Sequence, residues 1–339
     1  MKKMRFLNYY IYHILFKGKC KNLVLARNSK TRPKKKEWYL MNAKLKITTA
    51  MIIFGSMGLL VRNIDLPSGT IALVRGMIGV VFLAIVSLSL KEQFSKKAIV
   101  KNGLLLTILG ITLSANWIFL FEAYKHTTIA TATLSYYLAP VFVTALSPLV
   151  LKEKLTAAKF ICIITSLIGM MFVSGALTKP FQGIEDFIGI GYGIAAAVSY
   201  ASLTLLNKFT RETTATEATL AQLGVASVVL LLYVFLTKDF IDITIGIKDI
   251  LLLSILGVIH TGLGFWLYFS SIQDLKAQTV AAFSYIDPVT AILLSTLILN
   301  EKMGFAEILG AILILGSTLI SERIREPGWV EKIPTMLRK

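Results

Sequence analysis

The chain has 339 residues, 55% of them apolar, with a mean hydropathy of +0.70. That is too apolar for a soluble protein of this length and marks a polytopic helical membrane protein. The net charge of +17 does not mark a nucleic-acid binder, because 12 of the 36 Lys and Arg lie in residues 1–40 and most others sit in short loops.

Residues 1–45 read as a basic extension, expected to be disordered or to lie at a membrane interface. Its apolar run, Phe6 to Phe16, is too short to span a bilayer. The basic flanks Lys2, Lys3, Arg5, Lys17 and Lys19 resemble those of a signal peptide, but no small-residue cleavage site follows. The polybasic stretch ending in Lys34-Lys35-Lys36 suits an anionic inner leaflet. The membrane pattern begins just after Met41, which makes Met41 an alternative start. Ten membrane helices are then predicted, over roughly 46–63, 70–90, 103–123, 128–151, 156–176, 188–207, 218–236, 250–272, 278–299 and 305–321. They form two five-helix halves, 46–176 and 188–321, followed by a tail, 322–339. Cys20 lies in the basic extension and Cys162 in an apolar helix, so no disulfide is expected.

The two halves share a motif. Tyr136-Tyr137-Leu138-Ala139-Pro140 opens one apolar stretch that ends in Lys152-Glu153-Lys154. Ser284-Tyr285-Ile286-Asp287-Pro288 opens another that ends in Asn300-Glu301-Lys302. Pro140 matches Pro288 and Glu153 matches Glu301 at one ungapped offset of 148. With the N-terminus in the cytoplasm, 29 of the 36 basic residues fall in inner segments and 6 in outer loops, while Arg75 lies within a helix. Both termini are therefore placed in the cytoplasm. Five helices per half is an odd number, so the second half must sit upside down relative to the first, as an inverted repeat. Glu153 then belongs at the inner end of its helix and Glu301 at the outer end.

A proline within a helix leaves a carbonyl without its usual donor, and such carbonyls are tolerated at membrane depth only against protein or water. Pro140 and Pro288 thus point to a cavity wall at 135–140 and 283–288, with a plain packing kink as the alternative. Four ionisable residues lie inside helices: Arg75, Glu122, His260 and Asp287. Facing lipid, each would cost on the order of 2.5–3.5 kcal/mol or more. Asp287 and His260, the latter on a stripe with Gly264, Tyr268 and Ser271, are candidates for charge recognition or proton coupling. Arg75 and Glu122 suit structural pairing as well as substrate contact. Among the aromatics, Trp117, Tyr136, Tyr137, Phe265, Trp266, Tyr268 and Tyr285 lie on helices that correspond between the halves, where they suit an aromatic-walled pocket or an interfacial belt. Tyr136, Tyr137, Ser284 and Tyr285 are assigned to the cavity wall, and Trp117 and Trp266 to stacking or gating. Glu153 and Glu301 each fall just ahead of a helix and read as structural, serving free N–H groups. Gly189-x-Gly191-x-Gly193 sits in an apolar helix with no preceding strand, so it reads as a helix-packing face and not a nucleotide loop. The three histidines, His13, His126 and His260, are too scattered for a metal site. No cofactor is expected.

These residues resemble the EamA family of the drug/metabolite transporter superfamily. The resemblance rests on Phe54-Gly55-Ser56, Arg75, the stretch Phe121 to Thr128, the Pro140 segment with Lys152-Glu153-Lys154-Leu155, Gly262 to Leu275, and the Pro288 segment with Asn300-Glu301-Lys302. It covers about residues 46–321. The tryptophan common near the first helix's glycine is Phe54 here, and Gln222 and Leu223 stand where the second half would match Arg75. The resemblance implies a ten-helix carrier of small metabolites, amino acids or related compounds, working as an exporter from the cell membrane. It also implies a central cavity open alternately to either side, driven by a gradient. A lipid flippase or a non-transporting sensor is the alternative. A membrane-embedded enzyme would need a clustered nucleophile, base or metal set, which the sequence does not offer. The expected partners are a small-molecule substrate and the lipid bilayer, with no nucleic acid.

Overall fold

A computed structural model of the chain describes residues 33–174, 183–210, 212–239, 245–299 and 304–324. The chain divides into a unit of residues 1–42 and a body of residues 43–339. Among the described residues the structure is helical, with no strand. In chain order the helices are α1 Pro33–Gly55, α2 Met57–Val61, α3 Ser68–Ser89, α4 Lys96–His126, α5 Ile129–Tyr136, α6 Ala139–Leu151, α7 Ala157–Ser174, α8 Ile184–Leu206, α9 Ala215–Thr237, α10 Ile247–Ile255, α11 Gly264–Ile272, α12 Ala277–Ser284, α13 Ile286–Leu299 and α14 Phe305–Arg323. A π-helix, Leu256–Leu263, joins α10 to α11. Among the described residues, nine helical stretches are long and apolar enough to cross a membrane. The tenth expected span is shorter, an apolar helix over Ile308–Ser321 within α14. The first helix begins at Pro33, well before the expected residue 46. Residues 1–32, Cys20 and His13 among them, and Glu301 lie outside the described residues.

Local chemistry sets the helix starts. Ser95 Oγ accepts from the Ala98 N–H at 3.2 Å to open α4, and Thr128 Oγ1 accepts from the Thr131 N–H at 3.2 Å to open α5. Thr214 and Glu217 form a reciprocal capping box at α9. At the other ends, α6 and α9 stop in left-handed Lys152 and Lys238, with φ of 56° and 58°. The outer surface is apolar: Val100, Leu104, Leu149 and Leu236 are at least 78% exposed. Such a surface is a liability in water and is what a bilayer requires.

The duplication is visible in the elements themselves. Ile129 and Ala277 open the first part of a broken helix in each half, and Tyr136 and Ser284 end it. Leu151 and Leu299 end the second part, and each of these pairs is 148 residues apart. Equivalent segments meet and run antiparallel: Tyr137 contacts Tyr285, Ser147 contacts Gln278, and Glu153 contacts Ala277. The last helices of the two halves, α7 and α14, also cross antiparallel. Phe172 and Val173 lie against Gly310, and Ser166 bonds to Ser317 at 2.6 Å. A Cβ at Gly169 would collide with the Gly310 carbonyl, and the reverse holds too, so only small residues permit this approach. Gly189 and Gly193 of α8 make similar approaches to Thr127 and Ser135.

Candidate functional site

Four interruptions of helix converge in the body. The first separates α1 from α2 at Ser56, the second α5 from α6, and the third α12 from α13. The fourth is the π-helix, where the missing side chains of Gly257 and Gly262 let Ile78 and Phe82 of α3 pack closely. At the first break, a Cβ on Gly55 would strike the Asp287 carbonyl and the Thr290 Cβ, so glycine allows α1 to lie on the third break. Ser56 Oγ donates to the Ile53 carbonyl at 2.7 Å and lies 3.0 Å from His260 Nε2, within hydrogen-bond distance. The second and third breaks meet directly. Tyr137 and Tyr285 stack with ring centroids 6.2 Å apart, and the Tyr285 hydroxyl donates to the Tyr137 carbonyl at 3.1 Å. These two tyrosines occupy equivalent positions of the repeat.

A continuous run of aromatic rings crosses this region. Trp117 packs on Phe265 at 5.6 Å, Phe265 on Phe54 at 5.1 Å, and Phe54 on Tyr268 at 6.2 Å between centroids. From Tyr268 the run continues to Tyr200 at 6.0 Å, Tyr136 at 5.9 Å and Tyr137 at 5.6 Å. Hydroxyls along it are paired: Tyr268 with Thr204 at 2.9 Å and Tyr200 with Ser284 at 2.8 Å. Accessibility sorts these rings. Trp117, Tyr137, Tyr268 and Tyr285 are buried and form the wall itself. Phe54, Tyr124, Tyr136 and Tyr200 keep partly accessible surface. The three tyrosines among these lie where protein surrounds them densely.

Asp287 lies in the first turn of α13, at the third break. It is deeply enclosed yet partly accessible. Its carboxylate lies within electrostatic reach of Tyr137, Tyr124, Tyr136 and Tyr200. Among the described residues no Lys, Arg or His acts on it. Arg75 is also central, but it is only 5% exposed. Its guanidinium lies 4.3 Å from the centre of the Trp117 ring and donates to Met57 Sδ at 3.0 Å. Its charge reaches Tyr136 and His260. No carboxylate among the described residues neutralises it.

Several expected residues are placed elsewhere. Glu122 accepts from Lys125 at 2.8 Å and from Tyr233 at 2.5 Å, which ties α4 to α9 away from the ring cluster. Trp266 faces Lys46, 5.4 Å from the ring centre, and donates to Thr216 Oγ1 at 3.1 Å. His260 lies in the π-helix, so the α-helical stripe expected to align it with Gly264, Tyr268 and Ser271 is interrupted between His260 and Gly264. Glu153 serves a different helix from the one that follows it in the sequence. Its carboxylate accepts the first N–H groups of α12, from Ala277 at 2.9 Å and Gln278 at 3.3 Å. Thr156 takes the place ahead of α7, accepting from the Lys159 N–H at 3.3 Å. Pro140 and Pro288 are both buried, just after the two breaks. Sequence reasoning did not single out Tyr124 or Tyr200, which the fold brings to this region. Tyr200 carries no local signal, and Tyr124 lies within the stretch Phe121 to Thr128 with nothing to mark it.

A model of the EamA-like transporter family matches residues 42–175 and again residues 187–322. The chain is 28% identical over 281 residues to a Bacillus subtilis protein named uncharacterized transporter YxxF, covering 82% of this chain and 89% of that one. It is 26% identical over 278 residues to an uncharacterized transporter of Archaeoglobus fulgidus, covering 82% and 95%. Identity to the uncharacterized inner membrane transporter YicL of Salmonella typhimurium is 26% over 292 residues, covering 81% and 93%. One solved structure, described only as the crystal structure of a protein, matches with a TM-score of 0.74. It covers 82% of this chain and 96% of that one at 18% identity, a likeness of fold alone.

Proposed function

The chain belongs to the EamA-like transporter family, and from that premise we propose that it is a secondary-active carrier exporting a small metabolite, an amino acid or related compound, across the cytoplasmic membrane. The two halves, 46–176 and 188–321, rock about the site between them, and both termini lie in the cytoplasm. The observation that carries this reading is Asp287. It is a partly accessible carboxylate deep in the body, at the meeting of helices broken at equivalent points of the repeat. Irregular backbone at membrane depth suits a water-filled cavity, and inverted repeats place substrate between their halves. Aromatic walls with few polar groups suit a small organic solute. In this scheme Asp287 and His260 supply charge recognition or coupling, and Arg75 and Trp117 brace the wall beside them.

The test is solute flux into proteoliposomes containing the folded protein, across a panel of amino acids and related metabolites, with and without an imposed pH gradient. Accumulation of at least one solute above protein-free vesicles is expected. Flux of none, from protein shown to be folded, sinks the reading. Asp287→Asn is expected to remove gradient-driven flux, and undiminished driven flux removes Asp287 from the coupling role.

A further inference from the structure

We propose that the seam between α6 and α12 is a latch that holds the cytoplasmic face shut, and that Gln278 sets how firmly it holds. The inference rests on the carrier reading and deepens it, by naming the contact that must part before solute enters from the cytoplasm. The seam joins the two halves at the end where the basic-residue count places the cytoplasm. Gln278 of α12 is 2% exposed, and its Nε2 donates to Ser147 Oγ of α6 at 3.1 Å and to the Lys154 carbonyl at 3.2 Å. Beside it, Glu153 accepts the first N–H groups of α12. The repeat-equivalent pair, α13 with α5, lacks such packing among the described residues. The protein is therefore joined at one of two equivalent seams and not at the other.

The joined seam is one that can part. Other contacts between the halves are interlocked: a Cβ at Gly110 of α4 would strike Val225 of α9, and Gly169 and Gly310 lock α7 to α14. No glycine occurs in α6 or α12. The residues α12 brings to the cluster around Val143 of α6 are alanines, Ala277, Ala281 and Ala282. Alanine buries little apolar area, so the polar bonds carry a large share of the contact. Those bonds are incomplete, because Thr144 Oγ1 and Gln278 Oε1 are buried with no hydrogen-bond partner among the described residues. Such groups cost free energy while the seam is closed and find partners once water enters it. Pro148, inside α6, supplies a place to bend: it has no N–H to give the Thr144 carbonyl, which accepts from Ser147 Oγ at 3.1 Å instead. Neither device is repeated. Ala130 stands where the second half has Gln278, and Thr296 where the first half has Pro148. With one seam stronger than its counterpart, the protein rests with that seam closed, and weakening it shifts the population toward the opposite state.

The experiment measures labelling rates with a membrane-impermeant maleimide, in the full chain carrying Cys20→Ser and Cys162→Ser. Thr144→Cys reports on the joined seam, since Thr144 is fully buried there and its hydroxyl makes no bond that the substitution would remove. Ile292→Cys, at the equivalent position of the repeat and partly accessible, reports on the other seam. Intact cells read the outer face and inside-out membrane vesicles the cytoplasmic face. With Gln278 present, Ile292→Cys is expected to react from outside and Thr144→Cys slowly from either side. Adding Gln278→Ala, which copies Ala130 of the first half, is expected to speed Thr144→Cys at least threefold in inside-out vesicles and to slow Ile292→Cys at least twofold in cells. Ser147→Ala removes the same bond from the other partner and is read in the same way where Gln278→Ala fails to fold. Opposite shifts at the two reporters are what a latch between two states requires. Faster labelling of both means general loosening and overturns the proposal, as do unchanged rates at both. Opposite shifts read from exchanged faces keep the latch and reverse the orientation. Solute flux with unshifted reporters leaves the carrier reading standing and removes the latch. Opposite shifts without flux of any solute keep the latch and remove the carrier reading.

Discussion

Tyr285 shows how one side chain holds the crossing of the two halves together. It is fully buried, its ring stacks on Tyr137, and its hydroxyl donates to the Tyr137 carbonyl at 3.1 Å. That carbonyl sits in the gap between α5 and α6, where regular helix bonding has lapsed. Removing the hydroxyl by Tyr285→Phe leaves the ring packing in place and strands a buried acceptor, at a cost of about 1–3 kcal/mol. Thermal unfolding in detergent checks this: the variant should melt measurably below the wild type. An unchanged melting temperature would mean that water reaches the carbonyl. At this scale the sequence was readable where a residue type carries its own constraint. Pro140 and Pro288 lack an N–H, so the breaks at 136–139 and 284–286 were expected. Tyr200 has no such constraint, and only the fold places its ring between Tyr136 and Tyr268.

At the scale of elements, the informative contact is Glu153 with the start of α12. Lys276 precedes that helix and offers no side-chain cap. The first N–H groups of α12 would be orphaned without Glu153, which reaches them from 124 and 125 residues away. A carboxylate there both accepts the bonds and complements the helix dipole. Glu153→Ala should cost about 1 kcal/mol, the usual worth of a cap, read as a lowered melting temperature. Thr156→Ala, which removes the local cap of α7, should cost a comparable amount and leave the contact between α6 and α12 intact. If Glu153→Ala melts like the wild type, the capping role fails. The sequence could place a glutamate ahead of a helix but could not choose which helix, because helix starts far apart in the chain are brought together only by packing. The π-helix was unreadable for a related reason: Leu256 to Leu263 has an ordinary apolar composition, and its wider turn is visible only where α3 approaches Gly257 and Gly262.

For the molecule as a whole, the duplicated motif gave the repeat, which is a property of the chain that needs no contacts, and the count of basic residues proposes an orientation. The structure adds that equivalent segments pass antiparallel, through Tyr137 with Tyr285 and through Gly169 with Gly310. Antiparallel equivalents require corresponding loops to emerge on opposite faces of the membrane. Asp65, between α2 and α3, and Thr213, just before α9, are such a pair, 148 residues apart. The basic-residue count puts Asp65 outside and Thr213 in the cytoplasm, since cytoplasmic loops collect Lys and Arg. The prediction can be tested with Asp65→Cys and Thr213→Cys, each in a chain whose Cys20 and Cys162 are replaced by Ser. A membrane-impermeant maleimide applied to intact cells should modify the first. It should modify the second only after the membrane is opened. Labelling of both from one side would refute the inversion, while exchange of the two sides would keep the inversion and reverse the orientation. The two outcomes separate the claim that rests on helix packing from the claim that rests on charge.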